Sequence, residues 1–116
     1  MSKPLFIPLQ NQRSRLAMSK PLFIPLKPQY YAAFAEGRKT EEYRLYGPRW
    51  NERTCHLGRQ VTLSRGYGKQ HRLTAVITGF RKSNEPQDLT PAFRECYPQE
   101  KNPQVAVITL NLGFTS

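Results

Sequence analysis

Apolar and polar residues alternate along this chain in short runs, most of them closed by proline or glycine. Leu22-Phe23-Ile24 lies between Pro21 and Pro25 and reads as a first strand, because proline is tolerated mainly at strand ends and on sheet edges. Pro28 to Glu36 follows as a two-turn helix. Pro28 suits the first helical position, where its missing N–H costs nothing. Gly37 suits the C-terminal cap, which needs a positive φ. The period then changes to two. From Thr40 to Tyr46, Glu41, Tyr43 and Leu45 fall on one face, and Thr40, Glu42, Arg44 and Tyr46 on the other.

Further along, Gly47 to Arg53 is turn-rich and expected as a loop. Val61 and Leu63 alternate with Thr62 and Ser64 as a short strand, and Arg65 to Lys69 forms a hairpin connection. The returning strand is expected from about His71 to Phe80, with Leu73, Ala75 and Ile77 on one face. Arg81 to Asp88 is polar and expected to be irregular. Thr90 followed by Pro91 opens a short helix that reaches Tyr97. Gln104 to Leu112 is the strongest strand, nearly continuous in apolar residues from Val105 to Leu110. No βαβ rhythm is present, so the chain is mainly β with short helices (α+β). The expected form is a small, strongly bent sheet or barrel of about five or six strands and two short helices.

The first nine residues are written twice. Met1 to Leu9 recurs unchanged at Met18 to Leu26. Only the second copy runs into Lys27 and the helix, so it supplies the native strand. Residues 1–17 are therefore expected to be a duplicated, flexible N-terminal extension, and residues 18–116 a single domain. Pro4 and Pro8 interrupt an apolar stretch too short for a signal peptide.

Charge adds a partner to this picture. The chain has 18 lysines and arginines against 8 acidic residues, a net charge of +10. Between Arg38 and Lys82 there are 11 basic residues and three acidic ones. Such a single-sign field attracts polyanions and speeds their encounter, which points to RNA or a nucleotide. A merely basic soluble protein is the alternative, since composition specifies no site. No apolar run approaches a membrane span of about 20 residues. Two cysteines, Cys55 and Cys96, make no disulfide framework and read as reduced thiols of a cytoplasmic chain. Cys55, His56, His71 and Cys96 fit no standard zinc spacing, so no metal or other cofactor is expected.

The chemistry gathers where the helix gives way to the strand. Gly37-Arg38-Lys39-Thr40-Glu41-Glu42-Tyr43-Arg44 reads G-x-K-x-x-E-x-R. Glu42 and Arg44 share one face of the strand, with Lys39 at its mouth. They form either a surface ion network, worth about 0–1 kcal/mol per exposed pair, or a site. In a site, Lys39 and Arg44 hold a phosphate or base edge while Glu42 orients them. Arg49 and Arg53 flank Trp50, and Arg65 and Lys69 flank Tyr67. Aromatics interleaved with cations suit single-stranded nucleic acid, whose bases stack and whose phosphates pair. The alternatives are that Trp50 plugs an end of the barrel and Tyr67 braces a turn.

The motif, with the order of elements around it, resembles the ASCH domain family, whose fold is similar to the PUA RNA-binding fold. The resemblance spans about residues 21 to 113, from Leu22-Phe23-Ile24 through the Ser64-Arg65-Gly66-Tyr67-Gly68 turn to the last strand. It implies a PUA-like β-barrel with the motif residues lining a cleft that binds RNA. A branch of small family members resembles amidohydrolases acting on N4-acylated cytidine, and there Lys39 and Glu42 would be the catalytic residues. In that branch a threonine follows the lysine by three places, where this chain has Glu42. Glu85 is the candidate for a further acid that the branch uses. A regulatory protein that binds another protein through the same fold is a third possibility.

Overall fold

The computed structural model of the chain describes residues 20–112. The duplicated extension, residues 1–17, lies outside the described residues. The elements are β1 (Leu22–Leu26), α1 (Pro28–Ala35), β2 (Glu41–Leu45), β3 (Gln60–Arg65), β4 (Arg72–Ser83), a short 3-10 turn (Pro86–Asp88), α2 (Pro91–Cys96) and β5 (Val105–Asn111). Five strands form one curled sheet in the order β1-β3-β4-β5-β2. β1 runs parallel to β3, and every other pair is antiparallel. This is the small half-barrel with two short helices that the pattern of the sequence implies.

Local chemistry explains the helix ends. After α1, Gly37 takes φ +78°, its N–H bonds Phe34 O at 3.0 Å, and the Arg38 N–H bonds Ala33 O at 2.9 Å. These paired bonds are a Schellman cap, which turns the chain sharply into β2. At α2 the Thr90 hydroxyl accepts the Phe93 N–H at 3.2 Å, with Pro91 in the first turn.

The sheet is covered on both sides. On one side Ile24, Phe34, Val61, Leu63, Ile77 and Ile108 are buried in the larger core. On the other, Phe93 of α2 packs with Val105 and Val107. Successive β5 residues thus face two cores, which explains the unbroken apolar run.

β4 differs from expectation. It continues through Arg81, Lys82 and Ser83, which were expected to be irregular. Their backbones are in register with Val107, Ala106 and Val105 of β5, while Arg81 and Lys82 remain exposed. Long charged side chains can reach water from a strand, so polarity alone did not mark its end. A register shift between Ile77 and Gly79 bends the strand. A Cβ at Gly79 would lie 3.1 Å from Thr109 Oγ1, so glycine permits the close approach there.

Curling brings the two edge strands together. Arg44 of β2 reaches across to the Pro25 carbonyl of β1 at 2.9 Å. The open seam between β1 and β2 holds the candidate site.

Candidate functional site

Alternation on β2 turns Glu42 and Arg44 toward the seam and Tyr43 and Leu45 toward the smaller core. Glu42 is only 6 % exposed. A carboxylate so buried needs charge partners, and two cations supply them. Arg44 Nε donates to Glu42 Oε2 at 2.7 Å, and Lys39 Nζ stands 3.9 Å from Oε1.

Each cation is held in turn by aromatic rings. The Arg44 guanidinium lies 4.9 Å from the Trp50 ring centroid. The Lys39 ammonium lies 5.2 Å from Tyr43, 5.4 Å from Phe34 and 5.8 Å from Tyr30. Ring faces attract cations, which offsets part of the lost hydration. Burial still pushes the Lys39 ammonium below its ordinary pKa, against the pull of Glu42 and Glu41; Arg44 adds to the depression.

Above this network lies a cleft of about 440 Å³. Its walls are Pro25, Leu26 and Lys27 leaving β1, Pro28 and Tyr30 of α1, Gly66 and Tyr67 of the β3–β4 turn, and Ala92 and Cys96 of α2. Glu42 and Arg44 supply its charged wall. Lys27 bonds Glu95 at 2.9 Å and ties the start of α1 to α2 beside it. The volume falls within the range of small-ligand pockets, roughly 300–1,000 Å³.

The structure brings only some of the residues singled out in the sequence to the cleft. Glu42, Arg44 and Tyr67 line the cleft. Lys39 does not; it touches Glu42 and Tyr30, which do. Arg65 and Lys69 are exposed on either side of Tyr67. Arg49 packs its guanidinium 5.4 Å from the Trp50 ring. Trp50 corrects an expectation. It is 4 % exposed and belongs to the larger core, so its ring offers no open stacking face. Paired backbone bonds between Gly47 and Trp50 fold the loop inward and make Trp50 a plug beneath Arg44. Glu85 is exposed next to Ser83, to whose hydroxyl its N–H donates, and does not line the cleft.

Sequence reasoning missed Tyr30, Ala92 and Cys96. An aromatic residue in the first turn of α1 was a weak signal for Tyr30. Nothing marked the α2 residues, which reach the seam only through the fold.

The far face carries a separate polar group. Asp88, almost fully buried, accepts both ends of the Arg81 fork at 2.8 and 3.0 Å and the Ser83 hydroxyl. The Arg81 bonds hold its carboxyl below the ordinary range. The Tyr43 phenol is pushed up to about 12 by burial and by its bond to Glu41.

Among the described residues no three His, Cys, Asp or Glu side chains come together as metal ligands, and no helix is long and apolar enough to cross a membrane.

No family model matches the chain, and no curated protein matches it. Among solved structures, the fold is similar to the crystal structure of a point mutant of ZmASCH from Zymomonas mobilis. The TM-score is 0.57 at 14 % identity, over 80 % of this chain and 70 % of that one. The likeness shows an ASCH-like fold.

Proposed function

We propose that the protein binds RNA or a nucleotide in the cleft at the β1–β2 seam. The carrying observation is a cleft of small-ligand size with a charged pair in its wall and an aromatic ring at its rim, beside a basic hairpin. Arg44 uses Nε and Nη2 within the fold, which leaves Nη1 to donate to a phosphate or a base carbonyl. Glu42 Oε1, with only the distant Lys39 ammonium beside it, is placed to accept a base N–H. Tyr67, 79 % exposed, supplies the stacking face. Arg65 and Lys69 attract the phosphates, while Lys39 fixes Glu42 from behind and Arg49 and Trp50 hold Arg44. The ASCH-like fold supports this assignment, and a cytoplasmic setting with free Cys55 and Cys96 is part of it.

The test is binding of a labelled single-stranded oligouridylate across a range of salt. With about three or four phosphates neutralised, log affinity falls against log salt with a slope of roughly −2 to −3. Arg65→Ala flattens the slope by about one phosphate, and Tyr67→Ala weakens binding by about 1–3 kcal/mol with the slope unchanged. Binding indifferent to salt and to both substitutions would refute the assignment.

One observation favours a second activity at the same place. Burial of Lys39 behind Glu42 shifts its ammonium toward the neutral form that a base or nucleophile uses, and Glu42, in the cleft wall, is the member of the pair that would meet a substrate. In that case Lys39 and Glu42 are catalytic in an amidohydrolase acting on N4-acylated cytidine or a related nucleoside.

A further inference from the structure

We infer that Tyr67, Phe23 and Arg72 form a stacking surface that continues outward from the rim of the cleft and receives the nucleotides flanking the one inside. The inference rests on the cleft binding a nucleotide. It makes the ligand a single-stranded RNA of several nucleotides rather than a free nucleotide.

The three planar groups are in contact, with Phe23 between Tyr67 and the Arg72 guanidinium that lies over its ring. The Tyr67 and Phe23 centroids are 5.9 Å apart at an interplanar angle of 35°. The Arg72 guanidinium lies 5.2 Å from the Phe23 centroid. Its Nε donates to the Gly68 carbonyl at 3.1 Å, which fixes the plane. None of the three belongs to either core. Phe23 alternates with the buried Ile24 and so faces outward from β1. A tyrosine whose only task is to brace the hairpin would bury its ring against Phe23; this one remains 79 % exposed.

Charge selects the partner. Arg65 to Arg72 contains Arg65, Lys69 and Arg72, a histidine and no acid. Aromatic and guanidinium planes set in a cationic hairpin match unpaired bases on a phosphate backbone. Stacking is indifferent to base identity, so this surface adds affinity for length rather than for sequence.

The experiment compares uridine monophosphate with oligouridylates of increasing length by calorimetry at fixed salt. Affinity is expected to rise by about 5- to 150-fold as the first flanking base engages, the factor that corresponds to stacking one base. Phe23→Ser and Arg72→Ala remove this gain and leave mononucleotide binding intact. Arg72→Lys, which keeps the charge without the plane, loses most of it; Phe23→Trp keeps it and guards against a folding defect in Phe23→Ser. A wild-type protein that binds longer strands no more tightly than the mononucleotide overturns the inference and leaves the cleft assignment standing. So does a length gain untouched by Phe23→Ser and Arg72→Ala. Failure of every ligand to bind overturns both.

Discussion

Arg44 Nη2 on β2 donates to the Pro25 carbonyl on β1 at 2.9 Å, a side-chain bond between two edge strands that are not neighbours in the sheet. The same guanidinium bonds Glu42 and stacks on Trp50. One residue therefore fastens the seam, neutralises the buried carboxylate and forms part of the cleft wall.

Arg44→Ala is expected to destabilise the fold by about 3 kcal/mol, because Glu42 stays buried with only Lys39 at 3.9 Å. Adding Glu42→Gln should restore part of the loss, since the amide needs no counter-charge. Trp50 is the single tryptophan, so its emission reports the seam: a red shift on Arg44→Ala shows water reaching the plug. Unchanged emission and stability would mean that the latch carries no energy.

Tyr43 gives a pH signature. Its phenol titrates near 10.0 when unfolded and about 12 when folded. Between these values the folded state holds the extra proton, so stability falls as pH rises through the interval. Ultraviolet titration should show a late-ionising tyrosine that disappears in Tyr43→Phe. That variant should also lose stability less steeply above pH 10.0. A titration curve identical in wild type and Tyr43→Phe would contradict this.

Much of the fold was legible because local chemistry and fold agree. Pro28 and Gly37 bound α1 as their φ preferences require, and strict alternation sorted Glu42 and Arg44 from Tyr43 and Leu45. The end of β4 was not legible, because Arg81 to Ser83 gain their strand from backbone pairing with β5. Lys39, Glu42 and Arg44 were visible as a cluster, since a turn and one strand place them together. The cleft was not. Its walls join Tyr30 to Cys96, and the Lys27–Glu95 pair beside it spans 68 residues. Trp50 looked like a loop aromatic because nothing local records that Gly47 and Trp50 fold the loop inward.

The duplicated start makes a simple prediction. Among the described residues β3 has one parallel neighbour, and Leu22 to Leu26 fill that place. Deleting residues 1–17 should leave the melting temperature and circular dichroism unchanged. A large loss of thermal stability would show that the first copy is structural.

Lys39→Arg separates binding from hydrolysis. Arginine keeps the charge beside Glu42 but cannot give up its proton. In a binder this variant retains most of its RNA affinity. In a hydrolase it abolishes turnover of N4-acylated cytidine while the ligand still binds, and Glu42→Gln cuts turnover by about 10²-fold or more. The expected outcome is retained affinity and no acyl release by the wild type. Acyl release that Lys39→Arg destroys would establish the enzyme instead.

Cys96 offers the most direct view of the seam. Its thiol is exposed and lines the cleft, whereas Cys55 is buried and its thiol is pushed up by desolvation. A thiol reagent should therefore label Cys96 quickly and Cys55 only on unfolding. Saturating oligouridylate should slow the labelling of Cys96, and Arg65→Ala, at the same RNA concentration, should return much of the rate. RNA that binds tightly while Cys96 reacts as fast as in the free protein would place the ligand elsewhere and contradict the seam as the binding site.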